Sequence, residues 1–243
     1  MLKKLVKKFI SLSGFQVSRS QPVSATSHKF FDSHVNPLEW LKEYKIATII
    51  DVGANEGQFA EKIIGVFPTA QVHCFEPLEP VFNKLQQHFK ANKNITLYNC
   101  GLGEKNEEKI IHSNEYSPSS SMLEMLDLHK TSFDFAVAAE PVKIILKRLD
   151  DVLEKIPVKP MLLKIDVQGY EMQVLKGGEN ILQLADIVIL ETTFVPLYKE
   201  QPLFADIYTY MVAKGFSYAG NIEQLLSPKN NQILQADAVF IKL

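Results

Sequence analysis

The stretch Ile49 to Ala60, IIDVGANEGQFA, decides the fold. An apolar run ends in Asp51, passes through a turn carrying Gly53 and Gly57, and continues into a segment with helical periodicity. A strand that feeds a helix through so tight a turn is the opening of a βαβ unit. Glycine there permits a sharp reversal and lets the backbone approach a ligand without a Cβ in the way. A plain strand-to-helix connection would use the same residues.

Outward from that turn, the pattern repeats. KIATIIDVGA reads as a buried strand, and EGQFAEKIIGVF as an amphipathic helix stopped by Pro68. AQVHCFEP is a second strand, 80–92 a second helix, and NITLYNCGLG (94–103) a third strand. EKIIHS and VKIILKRLD are shorter β-like pieces. PMLLKIDVQG is the fourth main strand, 170–184 a helix, and ADIVILETT the fifth strand. A helix over 203–214 ends at Gly215, and GFSYAGN and ADAVFIKL close the chain as strands. Strands alternating with helices predict a doubly wound, mostly parallel seven-stranded α/β sheet of the Rossmann-like kind. The final pair has no helix between its members, which predicts an antiparallel C-terminal edge. Residues 36–243 read as one domain, with a long lid-like insertion around 113–140.

In such sheets ligands bind beyond the carboxyl ends of the strands, where strand order reverses. Asp51, Gly53, Ala54 and Asn55 follow the first strand, Glu76 and Pro77 the second, Gly101 and Leu102 the third, Asp166 the fourth and Glu191 the fifth. Amides at Asn55 to Gly57 would open a helix N-terminus that favours a carboxylate or phosphate. A carboxylate at Glu76 suits a ribose diol, accepting from both hydroxyls. A dinucleotide would want G-x-G-x-x-G, and the chain has GANEG instead. That spacing weakens a dehydrogenase reading and fits a cofactor with an amino-acid tail, S-adenosylmethionine.

IDVGANEGQFA, CFEPLEPVFNKL, NCGLGEK, SSSML and above all LLKIDVQGYEMQVLKGG resemble the FkbM-type methyltransferases. The resemblance runs from residue 48 to the C-terminus. It implies a class I methyltransferase fold, S-adenosylmethionine as cofactor, and O-methylation, often of a sugar hydroxyl. The family pattern more often has Glu where this chain has Gln168. Ser119, Ser120 and Ser121 match the family's serine-rich loop and are expected to cover the acceptor and bind it.

Asp51, Gly53, Ala54, Asn55, Gly57, Glu76, Pro77, Gly101, Leu102 and Asp166 form the expected cofactor set. Asp166, Glu191 and Lys164 are the catalytic candidates. Alternation places Lys164 and Asp166 on one face of their strand. A lysine in an apolar strand needs a partner, and Asp51 or Glu191 would supply an ion pair. Glu171 either acts as a base or serves a helix N-terminus. His112 and His129 flank the long loop. Asp166 with Glu191 offers oxygen ligands, but the spacing demands no metal.

At 243 residues, with 46% apolar and 22% charged residues, the composition is that of a soluble globular protein. A net charge of −2 gives no general attraction to nucleic acid. Cys74 and Cys100 show no metal-ligand spacing and read as buried thiols of a reducing cytoplasm. MLKKLVKKFI alternates lysines with apolar residues at helical spacing, far too short to span a membrane. It heads a 1–35 segment of basic helix and linker that either touches an anionic membrane surface or packs against protein. The expected function is therefore O-methylation of a saccharide or related metabolite. The alternatives are N-methylation of an amino-sugar, or a non-catalytic nucleotide-binding module docked at a membrane.

Overall fold

The structure is a computed structural model that describes residues 36–114, 122–123, 139–153 and 157–243. Its main sheet has seven strands: β1 (Thr48–Val52), β2 (Gln71–Phe75), β3 (Ile95–Tyr98), β7 (Met161–Ile165), β8 (Ile187–Thr193), β9 (Phe216–Leu226) and β10 (Ile233–Lys242). The order across it is β3-β2-β1-β7-β8-β10-β9. The first five are parallel, and β10 runs antiparallel to both β8 and β9. The doubly wound reading is therefore borne out, with its antiparallel edge. Within that edge β10 lies inside and β9 is outermost. Sequence order reverses between β1 and β7, which makes the crevice at their carboxyl ends the expected ligand position.

β1 and β7 are buried at every residue, because helices cover both faces of a central parallel strand. On one face, Ile49, Cys74, Leu162, Ile189 and Val239 pack with Ala60, Ile63 and Val66 of α1 (Gln58–Val66). On the other, Ile50, Leu163, Leu190 and Phe240 pack with Val174, Ile181, Ile207 and Met211. The last four residues belong to α4 (Glu171–Gly177), α5 (Glu179–Leu184) and α6 (Phe204–Ala213). Helix α2 (Glu79–His88) follows β2 and buries Val81 and Leu85.

Two elements differ from the pattern read in sequence. The expected third strand divides at Asn99–Cys100: Ile95–Tyr98 joins the main sheet, whereas β4 (Gly101–Leu102) pairs with β6 (Ala139–Lys147). With β5 (Glu107–Asn114), these form a separate three-stranded sheet, β4-β6-β5. The short helix α3 (Leu149–Val152) follows it. The helix expected over 170–184 breaks at Gly178, whose ψ of 35° leaves the helical region. Gly177 lies so close to Gly103 that a Cβ would stand 1.8 Å from its carbonyl oxygen. That contact gives the KGG sequence a packing reason.

Candidate active site

Side-chain alternation and register gather ionisable groups at the rim of one face of the sheet. Asp51 pairs with Lys164 and Cys74 across the strands, and Asp237 pairs with Glu191. Glu76, Asp166, Glu191 and Asp237 thus project from neighbouring strand ends on the same side as Lys164. Above them opens a cleft of about 390 Å³, lined by Gly53, Ala54, Asn55, Glu76, Pro77, Gly101, Leu102, Lys164, Asp166, Gln168 and Glu191. Gln58, Phe59, Met122 and Asp237 also border it.

The first loop is built by its glycines and closed by Glu76. Gly53 has φ +81°, and a Cβ there would lie 1.9 Å from the Asp166 carbonyl oxygen. Only glycine allows that close approach of the β1 and β7 ends. Both Gly53 and Ala54 donate their amides to the Phe75 carbonyl, at 3.0 Å each. The Asn55 amide donates to Glu76 Oε2 (3.1 Å), the Leu78 amide donates to Oε1 (2.8 Å), and the Glu56 amide donates to Asn55 Oδ1 (2.7 Å). The Gly57 amide donates to the Ala54 carbonyl. The amides expected to grip a ligand at Asn55 to Gly57 are therefore taken up inside the loop. The next N–H groups open the N-terminus of α1, whose Gln58 and Phe59 border the cleft. Gly57 itself, at φ +98°, makes room for the Phe89 ring, 2.3 Å from where its Cβ would stand. Gly57 and Asp51 do not border the cleft.

Asp51 is fully buried, and neither carboxylate oxygen has a hydrogen-bond partner among the described residues. Burial raises its pKa to about 6, against the opposing pull of Lys164. Lys164 pairs instead with Asp166, Nζ to Oδ2 at 2.7 Å, so the expected salt bridge to Asp51 or Glu191 goes to its own strand. Burial works against the lysine's charge, yet Asp166, Asp51 and Asp237 together hold its pKa above the ordinary value.

The Asp166 and Glu191 carboxyls are pushed in opposite directions. Burial pushes the Asp166 carboxyl up, but Lys164 and hydrogen bonds outweigh it and keep it ionised. Glu191 is driven well above the carboxylate range by burial and by the Asp166 charge. Gln168, at φ +53°, joins them: its Nε2 donates to Asp166 Oδ1 (3.0 Å) and Glu191 Oε2 (2.7 Å). The Tyr198 hydroxyl donates to Gln168 Oε1 (3.2 Å). A glutamate at 168 has no N–H to give, so the amide suits a position between two carboxyls.

The turn that carries Gln168 is braced from beneath. Glu171 Oε1 accepts the amides of Val167 (3.2 Å) and Gly169 (3.0 Å). Burial raises its pKa to about 7. It is 2% exposed and faces the turn. Ser119, Ser120, Ser121 and His129 lie outside the described residues, as does the His112 side chain. Of the insertion, Met122 reaches the cleft. Asp237 and Gln235 escaped the sequence reading, since an acid in ADAVFIKL sits on a strand whose antiparallel direction brings its N-terminal half to the rim.

The family's model, described as the methyltransferase FkbM domain, matches residues 51–218, from Asp51 in the first strand to Tyr218 in β9. The chain belongs to the FkbM methyltransferase family. It is a methyltransferase. Among relatives, Methyltransferase 1 of Beauveria bassiana is 27% identical over 70% of this chain and 72% of its own length. The 2-O-methyltransferase NoeI of Sinorhizobium fredii is 24% identical over 63% of this chain and 66% of its own. Hexuronic acid methyltransferase AglP of Haloferax volcanii is 29% identical over 58% and 54%. A crystal structure of methyltransferase FkbM from Methylobacillus flagellatus shares the fold at TM-score 0.52 and 16% identity. That match covers 81% of this chain and 44% of the solved one. In this FkbM methyltransferase, no described helix is long and apolar enough to cross a membrane. No described group of three or more His, Cys, Asp or Glu residues could hold a metal ion.

Proposed function

We propose that the chain is an S-adenosylmethionine-dependent O-methyltransferase acting on a hydroxyl of a sugar or sugar-like acceptor. The observation that carries this is the cleft at the β1–β7 reversal. It is framed by Gly53, whose lack of a Cβ lets the β1 and β7 ends meet, and Glu76 stands at the end of the adjoining strand. Two relatives named for 2-O-methylation and for hexuronic acid methylation support the acceptor class.

The residues present fit the cofactor. Glu76 uses one direction of each oxygen on a backbone amide and has lone pairs left for a ribose diol. Gly101 and Leu102 present a smooth wall beside Pro77 for a base. The N-terminus of α1 favours a carboxylate, and ionised Asp166 favours an amine. When bound, S-adenosylmethionine supplies a methyl group already activated on a sulfonium.

The chain's own task is then placement. Holding the acceptor oxygen in line at near-attack distance lowers the barrier by removing the entropy cost of encounter. Asp166, fixed by Lys164 and Gln168, accepts the acceptor's hydroxyl hydrogen and aims the oxygen's lone pair. An acceptor oxygen grows strongly acidic as it bonds to carbon, so a weak but well-aimed carboxylate suffices. Asp166 and Glu191 share protons as a pair, and the pair takes up the released one. Lys164 is buried, with Nζ 5.6 Å from the centroid of the Phe59 ring, so its field on Asp166 is little screened.

The test is transfer of a labelled methyl group from S-adenosylmethionine to a panel of sugars. Label on a hydroxyl oxygen is the expected product. Label on nitrogen alone would replace this reading with N-methylation.

A further inference from the structure

A second hollow of about 200 Å³ adjoins the cleft and shares Asp166, Glu191, Glu223 and Asp237 with it. Its remaining wall includes Gln224 and Gln235. Gln235 is 3% exposed, and its Nε2 has no hydrogen-bond partner among the described residues. The β8–β10 register sets Gln235 on the face that carries Asp237 and Glu191. A buried amide donor without an acceptor is costly, and it points to an oxygen supplied from outside.

Acids dominate the rest of this wall. The cations described along the two hollows are Lys62 and Lys164, and each already sits against an acid of the group. Lys62 Nζ lies 2.9 Å from Glu223 Oε1, and Lys164 Nζ lies 2.7 Å from Asp166 Oδ2. A carboxylate-bearing acceptor would meet like charge here, whereas a cation would be drawn in.

We propose that this hollow seats the ammonium group of an amino-sugar acceptor on Asp237, with a sugar oxygen accepting from Gln235. The inference rests on the reading of the cleft as a sugar methyltransferase site and narrows its acceptor class. An ammonium held by a carboxylate keeps its proton and has no lone pair to offer a methyl group. The seat therefore favours methylation of a hydroxyl on the same sugar over methylation of its nitrogen.

Binding tests this without turnover. Methyl glucosaminide, its N-acetyl counterpart and methyl glucuronide are titrated into the full chain by saturation-transfer NMR, with and without S-adenosylhomocysteine. The glucosaminide is expected to bind about tenfold more tightly than either of the others, as one charge-assisted hydrogen bond warrants. Asp237→Asn should erase that preference, with an unfolding midpoint confirming the fold. Gln235→Leu should weaken all three sugars and leave the preference standing. Equal or tighter glucuronide binding, no sugar binding at all, or a preference that survives Asp237→Asn overturns the seat. Calorimetry with S-adenosylhomocysteine judges the donor site separately, so failure of one reading is distinguishable from failure of the other.

Discussion

At the scale of single residues, the site is a set of carboxyls whose protons are decided by burial. Asp51, Glu76, Glu171 and Asp237 carry pKa values raised to about 6, 7, 7 and 6, in each case chiefly by loss of water. A carboxyl with a raised native pKa binds its proton more tightly folded than unfolded. Its contribution to stability is complete below the unfolded value and lost as pH rises through the folded one. Asp166 is depressed and acts oppositely, but only on acidification below its unfolded range. The ligand-free protein should therefore lose stability between about pH 4.5 and pH 7.5. Asp51→Asn should flatten that slope, retaining roughly 3 kcal/mol at the upper end, the equivalent of about two pKa units. Thermal unfolding across pH measures both, and an unchanged slope in the variant would show that Asp51 is not strained. Glu76→Ala should weaken S-adenosylhomocysteine binding by about 1.5–3 kcal/mol in calorimetry, the scale of charge-assisted hydrogen bonds. Asp51, Glu76, Asp166 and Glu191 were legible as acids at strand ends. Their protonation was not, because it depends on neighbours from other strands. The partner of Lys164 was legible only as a need: its own strand supplied Asp166, two residues on.

At the scale of elements, two turns carry the site, and each is held by side chains at a distance in sequence. The Gly53–Gly57 loop is tied to Glu76, 21 residues beyond Asn55, and the Val167–Gly169 turn sits on Glu171. Gly53→Ala should abolish S-adenosylhomocysteine binding, since its φ costs a side chain about 1–2 kcal/mol even before the clash with Asp166. A variant that binds normally would show that the strand ends can part. Gln168→Glu should slow methyl transfer more than it weakens cofactor binding, because it replaces the donor between Asp166 and Glu191 with a third acid. Comparing kcat with the homocysteine-nucleoside Kd checks this; equal losses would place Gln168 at the cofactor. Strands β1, β2, β7 and β8 were readable from apolar runs ended by acids. The break at Asn99–Cys100 was not, because NITLYNCGLG carries no proline or charge that would end a strand. Its division is imposed by β6, more than forty residues later, capturing Gly101 and Leu102. The helix break at Gly178 follows from the contact of Gly177 with Gly103, a tertiary event with no local signature beyond the glycine pair.

At the scale of the whole molecule, topology does the assembling. Parallel strands deliver their carboxyl ends to one rim, and the antiparallel β10 delivers the N-terminal half of its own length to the same rim. That inversion is why Asp237, in the N-terminal half of its own strand, joins acids that precede it by 46 to 186 residues. Residues 37–243 form a compact unit by themselves. A chain of these residues is expected to keep the unfolding midpoint of the full protein and to bind S-adenosylhomocysteine equally well. A large fall in either would tie the first 36 residues to the fold. The most direct measurement is a crystal structure with S-adenosylhomocysteine bound. The ribose hydroxyls should lie within hydrogen-bond distance of Glu76, with the amino-acid tail between α1 and Asp166. A nucleoside seated elsewhere on the sheet, with the Gly53–Glu76 cleft filled by side chains, would contradict the account.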